Sequence, residues 1–354
     1  MKPLRILIAN NTLSILAGSE TFARTLAIQL KKLGHIVEGF SPELGIISDQ
    51  LEKEGIRCFN QISISGVKPF SIVLEERHDF DYDVIIASHN HIVDFLRQEF
   101  PKTPIISTIH GIIHLLEDGV SMAPEHPALN SGVNQFVAVS EEVQEKLKKD
   151  YNIDSLVIRN FFDLESLSDL WSKRKISEKP KQFLVNSNYI LKDDEEIKLI
   201  KEVAKHYDAK VAAIGVNFAS AIDLGPAIND SDIVVGMGRS VLEGVAAGRL
   251  GIVHGRWGTA GVIHEGNIDE IRRYNFSGRN SGGKYLTAEE LISQIDQFYN
   301  EKTIEWGKNY IQKEHNVVLA TEMFVQIARD LLGENINKLE EIPMKKYRRA
   351  EDVK

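Results

Sequence analysis

Short apolar runs alternate along the chain with longer stretches whose apolar residues recur every three or four positions. The runs predict buried strands, and the three-to-four spacing predicts helices lying over them. Residues 4–9 predict the first strand; Phe22, Leu26, Leu30 and Leu33 form the apolar stripe of the first helix, which Gly34 ends. Further strands are predicted at 35–40, 83–87, 104–108, 135–139 and 156–159, with Ser140 capping a helix that opens on two glutamates. Between 161 and 182 Asp, Ser, Lys, Glu and Pro dominate, which predicts a short connecting helix and a linker ending at Pro180. The alternation then restarts, with strands predicted at 183–185, 210–214, 233–235 and 251–254. Helices are predicted from about 193 to 206, at 289–299, and at 303–332 with a break near Asn309 or His315. Two successive rounds of strand and helix predict an α/β fold with two parallel sheets, although no sequence repeat relates them.

Composition narrows the picture. A length of 354 residues favours two domains, and 43% hydrophobic residues suffice for two cores. The boundaries read as 1–163 and 164–302, then C-terminal helices at 303–332 packing back toward the first domain, and a mobile tail at 333–354. A formal charge of −9 opposes general nucleic-acid binding, because phosphate backbones reward a basic face. Cys58 is the only cysteine, so no intrachain disulfide forms. The first residues lead straight into a strand rather than a signal segment, and no apolar run approaches the ~20 residues of a spanning helix. A cytoplasmic protein is expected. Lys31, Lys32 and the basic run 345–349 leave room for peripheral contact at the inner membrane face.

Candidate chemistry concentrates at residues 231–248, where an apolar strand meets a glycine turn (Gly236, Gly238) and then a helix carrying Glu243. Free amides and the positive dipole end at such a helix start suit an anion, and Glu243 lies where a carboxylate accepts hydrogen bonds from ribose hydroxyls. A dinucleotide fingerprint lacks its third glycine, and no P-loop pattern occurs. A tight turn serving only close packing is the structural alternative. His89, His91, His110 and His114 raise a zinc site, but the metalloprotease motif is missing and the single cysteine adds no support; no metal and no cofactor are expected.

Several segments in order resemble the GT-B glycosyltransferases, specifically glycosyltransferase family 4. Ala17-Gly18-Ser19-Glu20 resembles the family's glycine loop, and Ser107-Thr108-Ile109-His110-Gly111 its Thr-x-His-Gly. Residues 136–140 and 157–160 are similar to the segments leading to the domain crossover, and 235–243 to its Glu-Gly-Phe-Gly-Leu-Pro-x-Leu-Glu. The resemblance implies two Rossmann-like domains facing across a cleft, and transfer of a sugar from a nucleoside-diphosphate donor to an acceptor hydroxyl, with retention and without metal. It implies a donor site of Lys192, Gly236, Gly238, Arg239, Glu243 and Arg256, an acceptor or phosphate loop of Gly18 and Glu20, and His110 as catalytic residue. The partners implied are a nucleotide sugar and a glycan, lipid or small-molecule acceptor.

Two departures stand out. Val235 replaces the family's first glutamate, and the arginine of its Gly-Arg-x-x-x-x-Lys is absent from 186–192, where only Lys192 remains. Arg239 is the candidate replacement charge. The same losses keep open a catalytically inactive nucleotide-binding module, and a nucleotide-sugar epimerase on a related fold is a further alternative.

Overall fold

Isoleucine, leucine and valine dominate the strands, whose residues are mostly buried on both faces, as parallel sheets covered by helices require. A computed structural model of the chain describes residues 2–60, 62–63, 72–73, 81–112, 132–163, 175–191, 194–215, 217–218 and 224–334. The expected tail beyond residue 334 therefore lies outside the described residues, as does most of the predicted connecting helix. The chain divides into two compact units, one made of Met1–Arg159 with Val317–Lys354, the other of Asn160–Asn316.

The first unit contains β1 (Arg5–Ala9), α1 (Gly18–Lys32), β2 (Ile36–Phe40), α2 (Ile46–Lys53) and β3 (Cys58–Phe59). A separate antiparallel ribbon pairs β4 (Ile62–Ser63) with β5 (Ile72–Val73). There follow β6 (Val84–Ser88), α3 (Asn90–Glu99), β7 (Ile105–Ile109), β8 (Gln135–Ala138), α4 (Glu141–Tyr151) and β9 (Ser155–Val157). The main sheet is parallel, in the order β3-β2-β1-β6-β7-β8-β9. Ser140 caps α4 by accepting from the Val143 amide.

The second unit contains β10 (Gln182–Asn186), α5 (Glu195–His206), β11 (Lys210–Ile214), α6 (Gly225–Asp230), β12 (Ile233–Gly236) and α7 (Arg239–Ala246). It continues through β13 (Leu250–Gly255), β14 (Gly258–Val262), α8 (Ile268–Arg273), α9 (Ala288–Phe298) and α10 (Glu301–Glu314). Its sheet runs β11-β10-β12-β13-β14, parallel except for β14. The predicted long helix breaks at His315, and its second half, α11 (Val317–Leu331), packs on α1 in the first unit while α10 stays with the second.

Two contacts fix the second unit around its glycine turn. A Cβ placed on Gly244 would stand 2.5 Å from Val234 Cγ2 and 2.6 Å from Val234 Cβ, so α7 lies against β12 as closely as backbone allows. His254, fully buried at the end of β13, has Nε2 3.1 Å from the Glu196 carbonyl and Nδ1 2.7 Å from the Thr259 hydroxyl. A carbonyl only accepts, so Nε2 carries the proton; burial favours the neutral imidazole, in which Nδ1 accepts from the Thr259 hydroxyl.

Gly244→Ala forces Val234 to move and is expected to cost ~1–3 kcal/mol, read as a lower urea midpoint at unchanged slope. Burial holds His254 below its ordinary value of 6.5, against an opposing pull from Glu196; burial also lowers His264 and, with help from Arg329, His35. In the window just below pH 6.5 the unfolded chain binds protons that the folded chain resists, so stability falls as the pH drops there. Urea unfolding from pH 8 to 5 should show this loss, and His254→Gln should reduce its slope.

Candidate functional site

In doubly wound sheets ligands bind beyond the carboxyl ends of the strands, at the point where strand order reverses. In the first unit that point lies between β1 and β6. Gly18 begins α1, and no side chain caps the helix there. Neither crowding nor backbone conformation demands glycine, since an added Cβ would meet nothing within 4 Å. Glu20, in the first turn, is 5% exposed, and its Oε2 has no hydrogen-bond partner among the described residues.

His110 follows β7 with its Nε2 2.9 Å from Ser88 Oγ and its ring edge-on to Phe22, centroids 4.9 Å apart. His89 follows β6 with φ 74° and ψ 130°, a conformation that costs a non-glycine residue about 1–3 kcal/mol. Its Nε2 is 3.4 Å from Ser19 Oγ, and its ring centroid is 6.1 Å from that of His110. Ser19, Ser88, His89 and His110 therefore converge from one helix start and two strand ends. Ser19 and Ser88 were not singled out from the sequence, and His89 was weighed only for zinc. The available signal was position, because Ser88 and His89 close a strand just as His110 does.

The corresponding point of the second unit lies between β10 and β12. Gly236 ends β12, and Gly238 enters α7 with φ 55°, which favours glycine. The helix start differs from the expected open cradle. The segment after α8 folds against the turn, so the Gly238 amide donates to the Phe276 carbonyl at 2.8 Å, and within the turn the Ser240 amide donates to the Met237 carbonyl at 3.2 Å. Glu243 is not a lone carboxylate. Its Oε1 lies 3.0 Å from Arg239 Nη2, one helical turn away, and both side chains are less than a fifth exposed. Arg239 Nη1 is buried without a partner among the described residues.

Val235, at the position of the family's first glutamate, is fully buried in the apolar core around β12, so its side chain is a packing element. Lys192 and His114 lie outside the described residues. The run 254–261, expected as a mobile glycine loop, is instead a β13–β14 hairpin whose two-residue turn is Arg256-Trp257. Gly258 at φ +114° and the buried His254–Thr259 contact explain the difference. Arg256 stacks on Tyr189 and Trp257, 4.5 and 4.4 Å from the ring centroids. Among the described residues no group of three or more His, Cys, Asp or Glu is placed to hold a metal, and no helix is long and apolar enough to cross a membrane.

Residues 16–166 match the family model described as Glycosyltransferase Family 4. No curated protein sequence matches the chain. Among solved structures it is similar to Anabaena HepE, crystallised with UDP and glucose, at a TM-score of 0.64 and 13% identity, covering 92% of this chain and 100% of that one. A glycosyltransferase from Rickettsia africae gives a TM-score of 0.61 and 16% identity over 93% of this chain and 99% of its own. The sucrose-phosphate synthase of Thermosynechococcus elongatus gives 0.58 and 11% over 93% and 99%. The chain thus has the GT-B fold of two Rossmann-like domains that these glycosyltransferase structures share, and residues 16–166 carry its similarity to Glycosyltransferase Family 4.

Proposed function

We propose that the protein transfers a sugar from a nucleoside-diphosphate sugar to an acceptor hydroxyl, with retention and without a resident metal. The carrying observation is the Arg239–Glu243 pair, one helical turn apart at the start of α7, beside the switch point of the second sheet. A guanidinium has five donors, and here Nη2 serves Glu243 while Nη1 has no partner among the described residues. A diphosphate oxygen is the natural acceptor for such a donor, and the adjacent carboxylate suits ribose hydroxyls. Lys192 and Arg256 complete the proposed donor set. That HepE binds UDP and glucose on the same fold supports this reading.

On the acceptor side the reading assigns Gly18, Glu20 and His110. In the reaction the bond from the anomeric carbon to the diphosphate breaks and a bond to the acceptor oxygen forms. The hydroxyl proton passes to the departing diphosphate. His110 is assigned as a donor to the negative charge that develops, an interaction stronger in the transition state than before it. Acceptors are glycans, lipids or small molecules bearing a hydroxyl.

One observation favours a second reading. With the Gly238 and Ser240 amides already bonded and Val235 in the core, a nucleotide-binding module without turnover fits the same helix start.

A panel of UDP, GDP and ADP should raise the melting temperature with at least one member, and the matching nucleotide sugar should be slowly hydrolysed. Glu243→Gln is expected to weaken nucleotide binding about tenfold, and His110→Ala to lower turnover by ~10²-fold while sparing nucleotide affinity. EDTA should change neither. No shift with any nucleotide would end the proposal; a shift without hydrolysis or transfer would favour the second reading.

A further inference from the structure

Next to the glycine turn the second unit carries an aromatic surface that its cores do not use. Tyr189 lies in the segment after β10, and Arg256 and Trp257 form the turn after β13. In the sheet β12 runs between β10 and β13. Side chains that meet from those two loops therefore pass across the carboxyl end of β12, where Gly236 leads into α7. There the Arg256 guanidinium carbon stands 4.5 Å from the Tyr189 ring centroid and 4.4 Å from that of Trp257.

The Tyr189 ring is presented to solvent by a built loop, while Trp257 is half-buried. Tyr189 is 58% exposed and its neighbour Leu191 52%. Beneath them the Ser187 hydroxyl accepts from the amides of Tyr189 and Ile190 at 3.1 and 3.2 Å. Asn217 Nδ2 donates to the carbonyls of Asn188 and Ile190 at 3.2 and 3.3 Å. Gly215, at φ +141°, runs so close that a Cβ there would overlap the Ser187 carbonyl. Exposure of the Tyr189 ring is thus set by a hydrogen-bonded support, which preorganises it for a partner.

The chemistry of that partner follows from the surface. Aromatic faces stacked on a guanidinium accept another flat π-system, and the guanidinium edge donates to in-plane nitrogen or oxygen acceptors. The positive charge rewards an anionic group on the same ligand, and Arg239 lies at the start of the helix that follows β12. A planar heterocycle joined to phosphates meets both demands. We infer that Tyr189, Arg256 and Trp257 form the stacking surface for the nucleobase of the donor, an assignment that rests on the donor-binding reading above. Stacking of this kind tolerates several bases, so selectivity among them falls to the edge of Arg256.

The test is calorimetric titration of the full-length protein with UDP, GDP and ADP, for wild type, Tyr189→Ala, Trp257→Ala, Tyr189→Phe and Trp257→Phe. Each alanine variant should bind the preferred nucleotide about 10- to 100-fold more weakly, and each phenylalanine variant within about threefold of wild type. Thermal melts report whether each variant is folded, which the exposure of Tyr189 favours. Alanine variants that bind within twofold of wild type overturn the stacking surface and leave the donor reading intact. Phenylalanine variants as weak as the alanine ones also overturn it, since a lost flat face would then not be the cause. A wild type that binds none of the three nucleotides overturns both.

Discussion

Parallel strands cannot be joined by a tight turn; each needs a crossover that carries the chain back to the other edge of the sheet. In both units this constraint sends every segment that follows a parallel strand to the same rim. His89 and His110 follow adjacent strands β6 and β7, and Ser19 opens the helix after β1, so three segments far apart in sequence are delivered to one place. Tyr189, Gly238 and Arg256 follow β10, β12 and β13 in the same way. The backbone hydrogen-bond ladder sets the positions; side-chain identity then decides the chemistry. Pairing two serine hydroxyls with two imidazoles on one rim, and a guanidinium with a carboxylate on the other, gives the units different electrostatic characters on one architecture.

At the start of α7 the polar groups mostly satisfy one another. Glycine provides the positive φ of the turn, Phe276 takes the first amide, and Arg239 and Glu243 neutralise each other across one helical turn. The pair also holds the long arginine in one rotamer, so the side-chain entropy of that arrangement is already spent in the folded chain, with Nη2 on Glu243 and Nη1 left without a partner among the described residues.

Most strands and long helices were readable in the sequence because burial on both faces, or on one helical stripe, leaves apolar runs of the right period. α2 was not: of its eight residues only Ile47, Ser48 and Leu51 are buried, too few to define a period. Leu33 looked like a fourth stripe residue but is the cap of α1 and 45% exposed, because Gly34 ends the helix. The hairpin at 250–262 hides behind glycines that erase alternation. For the site, strand-end positions were readable, and the spacing of Arg239 and Glu243 already placed them on neighbouring turns. Closure of the Gly238 amide by Phe276 was not, since nothing local couples residues so far apart.

The return of α11 to the first unit has a consequence for how the chain is made. Phe324 of that helix packs edge-on to Phe22 of α1, centroids 6.1 Å apart, across nearly the whole sequence. On the ribosome the strands of the first unit emerge early, yet the helix that covers α1 appears only after residues 160–316 have been added. At ~5–20 residues per second that is a delay of roughly ten to thirty seconds. During it an apolar helix face stands uncovered while the continuous second unit is already complete. A helix synthesised only after the whole second unit is therefore what covers α1 of the first.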